Sequence, residues 1–166
     1  LKHGADPRKS PPDSLSPIQM ASEEVHADIV EFLVKAGVDI KGKKGPEEFD
    51  SRETPLGLAS QHGHINVVNC ILSLRGNVNI KDCRGRTALM EASQRGRIDI
   101  VDRLLKAKCE LDALDNDSAS ALMFAAKEGH IQVVERLLSA GCNPNIKDER
   151  GRTALTWACL RKSVEM

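Results

Sequence analysis

The sequence predicts an all-α fold, a solenoid of stacked helix-turn-helix units with projecting hairpin-like finger loops. Three observations carry that prediction. A motif recurs at equal intervals: Asp82, Asp115 and Asp148 each open a copy, and Thr54-Pro55-Leu56 stands one interval before Thr87-Ala88-Leu89. A fixed period of this size marks stacked repeats, in which no unit buries its apolar face alone. Each copy also carries two short apolar stripes at helical spacing. Finally, 40% of the chain is hydrophobic but only 2% is aromatic, with no Tyr. A core of Leu, Ile, Val and Ala suits thin helices packed closely.

The elements follow in order along a single domain, 1–166. Residues 1–11 read as a partial repeat, because Leu1-Lys2-His3-Gly4-Ala5-Asp6 matches the end of a second helix, with Gly4 one period before Gly37. The next unit, 12–48, opens its first helix at Ser16-Pro17, with Gln19 placed to complete a capping box. The step from Ser16 to Thr54 exceeds the period by five, and the extra length falls in a longer finger, 41–53. Insertions in repeat proteins map to loops on one face, often the binding face. Phe49 is the expected anchor there, against the plainer reading of a tolerated solvated loop. In 49–81, Thr54 caps a helix and Pro55 fits its first position.

Units 82–114 and 115–147 follow the same plan. In the latter, Ser120 caps a first helix with Leu122, Ala125 and Ala126 on one face, and Gly129 ends it. Ile131, Val134, Leu137 and Leu138 define the second helix, which Ala140-Gly141 closes. Residues 148–166 supply a first helix, Thr153 to Leu160, without a regular second one. Four complete helix pairs are thus expected, with a fragment at each end. Ala154, Leu155 and Trp157 lack an obvious cover, which favours a longer natural protein over an improvised cap from 160–166.

These residues resemble the ankyrin-repeat family over essentially the whole chain. Its Thr-Pro-Leu-His-x-Ala-Ala line is matched by Ser16-Pro17-Ile18-Gln19-Met20-Ala21-Ser22 and Thr54-Pro55-Leu56-Gly57-Leu58-Ala59-Ser60. Thr87-Ala88-Leu89-Met90-Glu91-Ala92-Ser93 and Ala121-Leu122-Met123-Phe124-Ala125-Ala126 continue it. Its Gly-His-x-x-Val-Val line is matched by Gly63-His64-Ile65-Asn66-Val67-Val68 and Gly129-His130-Ile131-Gln132-Val133-Val134. The family's histidine after Thr-Pro-Leu is replaced throughout, by Gln19, Gly57, Met90, Met123 and Thr156. Val25 replaces one turn glycine, and Arg75 and Lys108 replace the other. A β-branched residue at positive φ costs about 1–2 kcal/mol, so a different turn geometry is expected at these three places.

The resemblance implies a non-catalytic protein-interaction module of a larger protein, binding a peptide or folded partner through its concave groove and fingers. Carried over by position, the partner-binding candidates are Gln61 and His62, then Cys83, Arg84, Arg86, Gln94 and Arg95. Further along come Asn116, Asp117, Ala119, Lys127 and Glu128, then Glu149, Arg150 and Arg152. Arginine forks pair with carboxylate or phosphate, which points to an acidic or phosphorylated segment. The competing reading is that these arginines neutralise Asp82 and Asp148. The resemblance also implies Asn79 and Asn145 as possible hydroxylation positions. Ser10-Pro11 and Ser16-Pro17 look like proline-directed phosphorylation sites, although Ser16 is better explained as a cap.

Composition narrows the remaining classes. The 24 basic and 24 acidic residues cancel, so no overall field recruits nucleic acid or membrane. Nucleic-acid or nucleotide-phosphate binding through the groove arginines is the alternative function, weakened by the absence of Tyr for base stacking. No 18-residue apolar run spans a bilayer. Five cysteines, at 70, 83, 109, 142 and 159, form no Cys-x-x-Cys pair. Zinc is therefore not expected, and the unpatterned thiols fit a reducing cytoplasmic or nuclear setting. Cys109 and Cys142 share a repeat position, as do His26, His64 and His130, which suggests packing and structural hydrogen bonding. No phosphate loop, metal cluster or Ser/Cys–His arrangement has usable spacing, so neither enzyme activity nor a cofactor is expected. The chain reads as a monomer.

Overall fold

The computed structural model describes residues 15–41 and 53–164, with side chains to Leu160. Within them lie nine helices: α1 (Pro17–Glu23), α2 (Ala27–Lys35), α3 (Pro55–His62), α4 (Ile65–Ser73), α5 (Ala88–Gln94), α6 (Ile98–Lys106), α7 (Ala121–Glu128), α8 (Ile131–Ser139) and α9 (Ala154–Val164). The odd-numbered helices contact one another in succession and form one layer, while α2, α4, α6 and α8 form the second. Four helix pairs followed by α9 make up an all-α repeat solenoid. Residues 1–14 and 42–52 lie outside the described residues, and with them the first partial unit, Ser10-Pro11, most of the long finger, and Phe49.

Local chemistry explains the short first helices. Thr54 Oγ1 accepts from the Gly57 N–H at 3.0 Å, Thr87 Oγ1 from Met90 at 3.4 Å, and Ser120 Oγ from Met123 at 3.4 Å. Each satisfies an otherwise orphaned donor of the first turn. Gln19 Oε1 accepts from both the Ser16 N–H, at 2.8 Å, and its hydroxyl, at 2.7 Å. Its amide then donates to the Glu53 carbonyl at 2.6 Å, pinning the far end of the long finger. In this unit Gln19, standing where the family has histidine, bonds both its own helix cap and the finger.

The second helices are tied to their neighbours from their N-termini. His64 Nε2 contacts the Glu23 carbonyl at 2.7 Å and His130 Nε2 the Gln94 carbonyl at 3.0 Å, so each ring carries its proton on Nε2. Arg97, at the intervening position, donates from Nε to the Gln61 carbonyl at 3.3 Å. These bonds run from each helix pair to the one before it. Between the layers, Ile18, Val67, Ile71, Leu89, Ile100, Leu104 and Leu137 are buried, and Ala59, Ala92 and Ala125 let neighbouring backbones approach. Truncating one of these leucines to Ala costs about 2–5 kcal/mol, depending on how far the cavity collapses.

The turns depart from expectation. Val25, Arg75 and Lys108 do not change the turn geometry; they adopt φ of 70°, 60° and 58°, beside 72° at Gly129 and 91° at Gly141. The reason is the hydrogen bond each turn must close. His26 N–H reaches the Ala21 carbonyl at 3.0 Å, as His130 reaches Ala125 at 2.9 Å, and Gly76 reaches Ile71 at 3.0 Å. These closing bonds, together with packing on the neighbouring helix pair, hold the backbone left-handed despite a local cost of about 1–2 kcal/mol. At the other end, α9 continues to Val164 rather than ending at Leu160. Lys162 stands where Gly129 stands one repeat earlier, so no glycine favours a turn there. Ala154 is buried and Trp157 half-buried, whereas Leu155 is 74% exposed. Only part of that expected bare face is bare.

Candidate functional site: the concave groove

The fingers are built on the three aspartates that mark the repeat. Asp82 Oδ1 accepts from the N–H groups of Arg84 and Arg86 at 2.9 and 2.8 Å. Asp115 Oδ1 does the same for Asp117 and Ala119 at 3.0 and 2.8 Å, and Asp148 Oδ1 for Arg150 and Arg152 at 2.9 and 2.8 Å. In return the aspartate N–H groups donate to the carbonyls of Arg86, Ala119 and Arg152. An aspartate that binds its own backbone two and four residues on is a compact turn former. Fingers also join one another. The Asn116 N–H donates to the Arg84 carbonyl at 2.9 Å and its side-chain amide to Cys83 at 3.0 Å, while the Glu149 N–H reaches Asp117 at 3.3 Å.

One position of the first helices gives Met20, Leu58, Glu91, Phe124 and Trp157 in successive units, and the last three meet finger side chains. Glu91 is buried and pairs with Arg86 at 3.0 Å. Arg86 also donates to Gln94 Oε1 and lies 4.7 Å from the Phe124 ring centroid. Its side chain is only 10% exposed, and its Nε has no hydrogen-bond partner. Burial pushes the Glu91 carboxyl above the usual carboxylate range, and Arg86 pulls it partly back.

Arg152 is held differently. Its Nε and Nη2 both meet Asp148 Oδ2 at 2.8 Å, and its guanidinium lies 3.8 Å from the Trp157 ring centroid. Trp157 Nε1 donates to the same Asp148 oxygen at 3.2 Å, and Lys127 Nζ is 5.3 Å from the ring. Burial pushes the Asp148 carboxyl up, but the bonds from Arg152 and the backbone outweigh it and hold the group below its usual range. Phe124, Trp157 and Glu91 were not among the sequence candidates. Their shared repeat position was the available signal, and only the fold shows that this position meets the fingers.

The sequence candidates therefore fall into two sets. Arg86, Arg152, Gln94 and Asn116 are engaged in internal bonds, and Arg84 is 3.8 Å from Glu53. Gln61 is half-buried, and exposed His62 lies 4.0 Å from Glu23. Glu128 is half-buried; Asp117, Lys127 and Glu149 are exposed. Arg95 and Arg150 are also exposed, and no ion pair holds either guanidinium among the described residues. The competing reading of the arginines applies to Arg152, which neutralises Asp148; Arg86 pairs with Glu91 instead of Asp82. Asn79 uses its carbonyl oxygen to accept from the Glu110 N–H at 2.9 Å, whereas Asn145 is exposed.

Cys109 and Cys142 are buried, and burial pushes the Cys109 thiol up to about 11. A buried, protonated thiol is a weak nucleophile. Among the described residues no group of three or more His, Cys, Asp or Glu side chains could hold a metal ion, and no helix is long and apolar enough to cross a membrane.

Comparison with known proteins adds two findings. The chain matches the family described as ankyrin repeats (3 copies) over residues 1–82, 18–115, 56–148 and 89–166. It is similar to Rabankyrin-5 of Mus musculus, 31% identical over 98 residues, covering 52% of this chain and 8% of that protein. Rabankyrin-5 of Homo sapiens is 35% identical over 65 residues, covering 35% of this chain and 6% of that protein. The matched part spans less than a tenth of either relative's length.

Proposed function

The chain belongs to the ankyrin-repeat family, and from that premise we propose that it is a non-catalytic interaction module of a larger protein. Its partner is a peptide or a folded protein held in the concave groove and between the finger tips. Ankyrin repeats generally mediate protein–protein interaction and are typically non-catalytic. The carrying observation is that Arg95 and Arg150 are exposed with no ion pair among the described residues, while Arg86 and Arg152 are locked in place. Unpaired guanidinium groups on a rigid surface favour an acidic or phosphorylated segment. The cysteines, present as thiols, support a cytoplasmic or nuclear setting. Asn145 is the better hydroxylation candidate, since the Asn79 side chain already holds Glu110.

The test is recovery from cell extract with the 166-residue chain and with an Arg84→Glu, Arg95→Glu, Arg150→Glu variant, each with and without nuclease. A protein that survives nuclease and is lost with the variant is the expected result. Recovery of nuclease-sensitive material alone would replace this reading with nucleic-acid binding, whose affinity would also fall steeply with salt.

A further inference from the structure

The three fingers are equivalent by position, but the middle one lacks a side chain that both neighbours have. Arg86 and Arg152 each stand four places after their finger aspartate; the corresponding residue in the middle finger is Ala119. In both neighbours the guanidinium is held by a carboxylate of its own unit, Glu91 or Asp148, and lies over an aromatic ring. Around Ala119 there is instead a pocket of about 330 Å³, walled by Phe124 and Trp157 and opening between two fingers. At its side stands Asp115. Its Oδ1 caps the finger, as in Asp148, yet its Oδ2 receives no bond among the described residues, whereas Asp148 Oδ2 receives three.

We propose that this pocket receives an arginine side chain from the partner, which supplies the guanidinium that Ala119 leaves out. The inference rests on the groove-binding reading above and gives its partner a chemical feature. The incoming guanidinium binds Asp115 Oδ2, and its stem runs along the wall that Phe124 and Trp157 form. Asp117 and Glu149, exposed on adjoining finger tips, add negative charge at the mouth. Arg152 does not oppose this, because Asp148 neutralises it. Lys127 and Arg150 do line the pocket and weaken its negative field for any cation, and a planar, weakly hydrated guanidinium that lies flat along the wall is favoured there over a strongly hydrated ammonium. Volume agrees: a pocket near the lower end of ligand-site sizes accommodates one long side chain and not a folded element.

Trp157 is the single tryptophan and there is no Tyr, so intrinsic fluorescence reports this pocket directly. The probes are N-acetyl-arginine amide and its lysine, citrulline and glutamate counterparts, titrated into the whole chain to millimolar concentration. The expected result is a saturable change with the arginine compound, at least about tenfold weaker with the other three. Asp115→Asn keeps an oxygen to cap the finger but removes the charge, and should weaken the arginine response at least about tenfold. Ala119→Arg fills the pocket from within and should abolish it, with far-UV circular dichroism unchanged. A glutamate response equal to or above that of arginine overturns the proposal, as does an arginine response that survives in folded Ala119→Arg. If no probe binds while the triple variant still loses its partner, this inference falls and the module reading stands.

Discussion

Two fingers of this protein carry nearly the same sequence and do different things with it. Asp82-Cys83-Arg84-Gly85-Arg86-Thr87 and Asp148-Glu149-Arg150-Gly151-Arg152-Thr153 share their aspartate, both arginines, glycine and threonine. Both use Asp Oδ1 for the same two backbone bonds. Yet Arg86 turns into the groove floor toward Glu91, while Arg152 folds back on its own Asp148. The deciding residue lies outside the finger. Glu91 and Trp157 occupy the same position on their inner helices, and a carboxylate draws the guanidinium down where an indole offers it only a face. The same motif yields an ion pair to the inner helix in one unit, and in the other an ion pair within the finger backed by a stack on Trp157.

The sharpest way to break this comparison is to remove each arginine. Arg86→Ala leaves the Glu91 carboxylate buried and unpaired and should cost about 3 kcal/mol in urea unfolding. Arg152→Ala also leaves a buried carboxylate, but Asp148 keeps two backbone N–H bonds and the Trp157 indole, so the cost should be smaller, about 1–2 kcal/mol. Equal losses would mean that the two fingers are energetically alike.

The turn glycines give the next largest contrast. A Cβ on Gly85 would approach Asn116 Oδ1 to 2.5 Å, whereas one on Gly151 meets nothing within 4 Å. Both sit at positive φ, 75° and 72°. Gly85→Ala should therefore cost about 2–3 kcal/mol and Gly151→Ala about 1 kcal/mol, measured in the same denaturation assay.

A smaller effect is the pH dependence carried by Asp148. Its folded pKa is depressed, so its stabilisation is present above the ordinary value of about 3.9 and is lost as pH falls through the folded value. The melting temperature of the native chain should fall more between about pH 5 and about pH 2 than that of Asp148→Asn. A parallel fall would show that the Arg152 side of the comparison contributes nothing.

The smallest contrast costs no stability. A thiol reagent should modify Cys83 and Cys159 rapidly, Cys70 more slowly, and Cys109 and Cys142 only on unfolding. Fast labelling of Cys109 would mean that the stack opens between the 82–87 finger and the 148–153 finger.

Much of the fold was legible because its signals are local and repeated. Thr54, Thr87 and Ser120 announce their helices through a hydroxyl at the right offset, and Gly129 and Gly141 announce their ends. Val25, Arg75 and Lys108 were misleading for the same reason: local propensity argues against positive φ, and only the stacked neighbours overrule it. Of the groove, the sequence offered the finger tips but not its floor. Phe124 lies off the apolar face that Leu122, Ala125 and Ala126 define, and Trp157 reads only as a residue without an obvious cover; nothing local tells that either ring meets the fingers.

By itself the sequence determined the period, the helix pairs, the finger turns and the family. These depend on residues within one turn or one repeat of each other, so spacing is enough to specify them. The tertiary structure alone decided which arginine is buried, which stays free, and where the pocket beside Ala119 opens. Those outcomes depend on which side chains actually meet: Arg86 meets Glu91 of its own unit and Phe124 of the next, while Arg152 meets Asp148 and Trp157 of its own. An ion pair or a stack forms there only when the partner is within a few ångström, and stacking, not spacing, sets that distance.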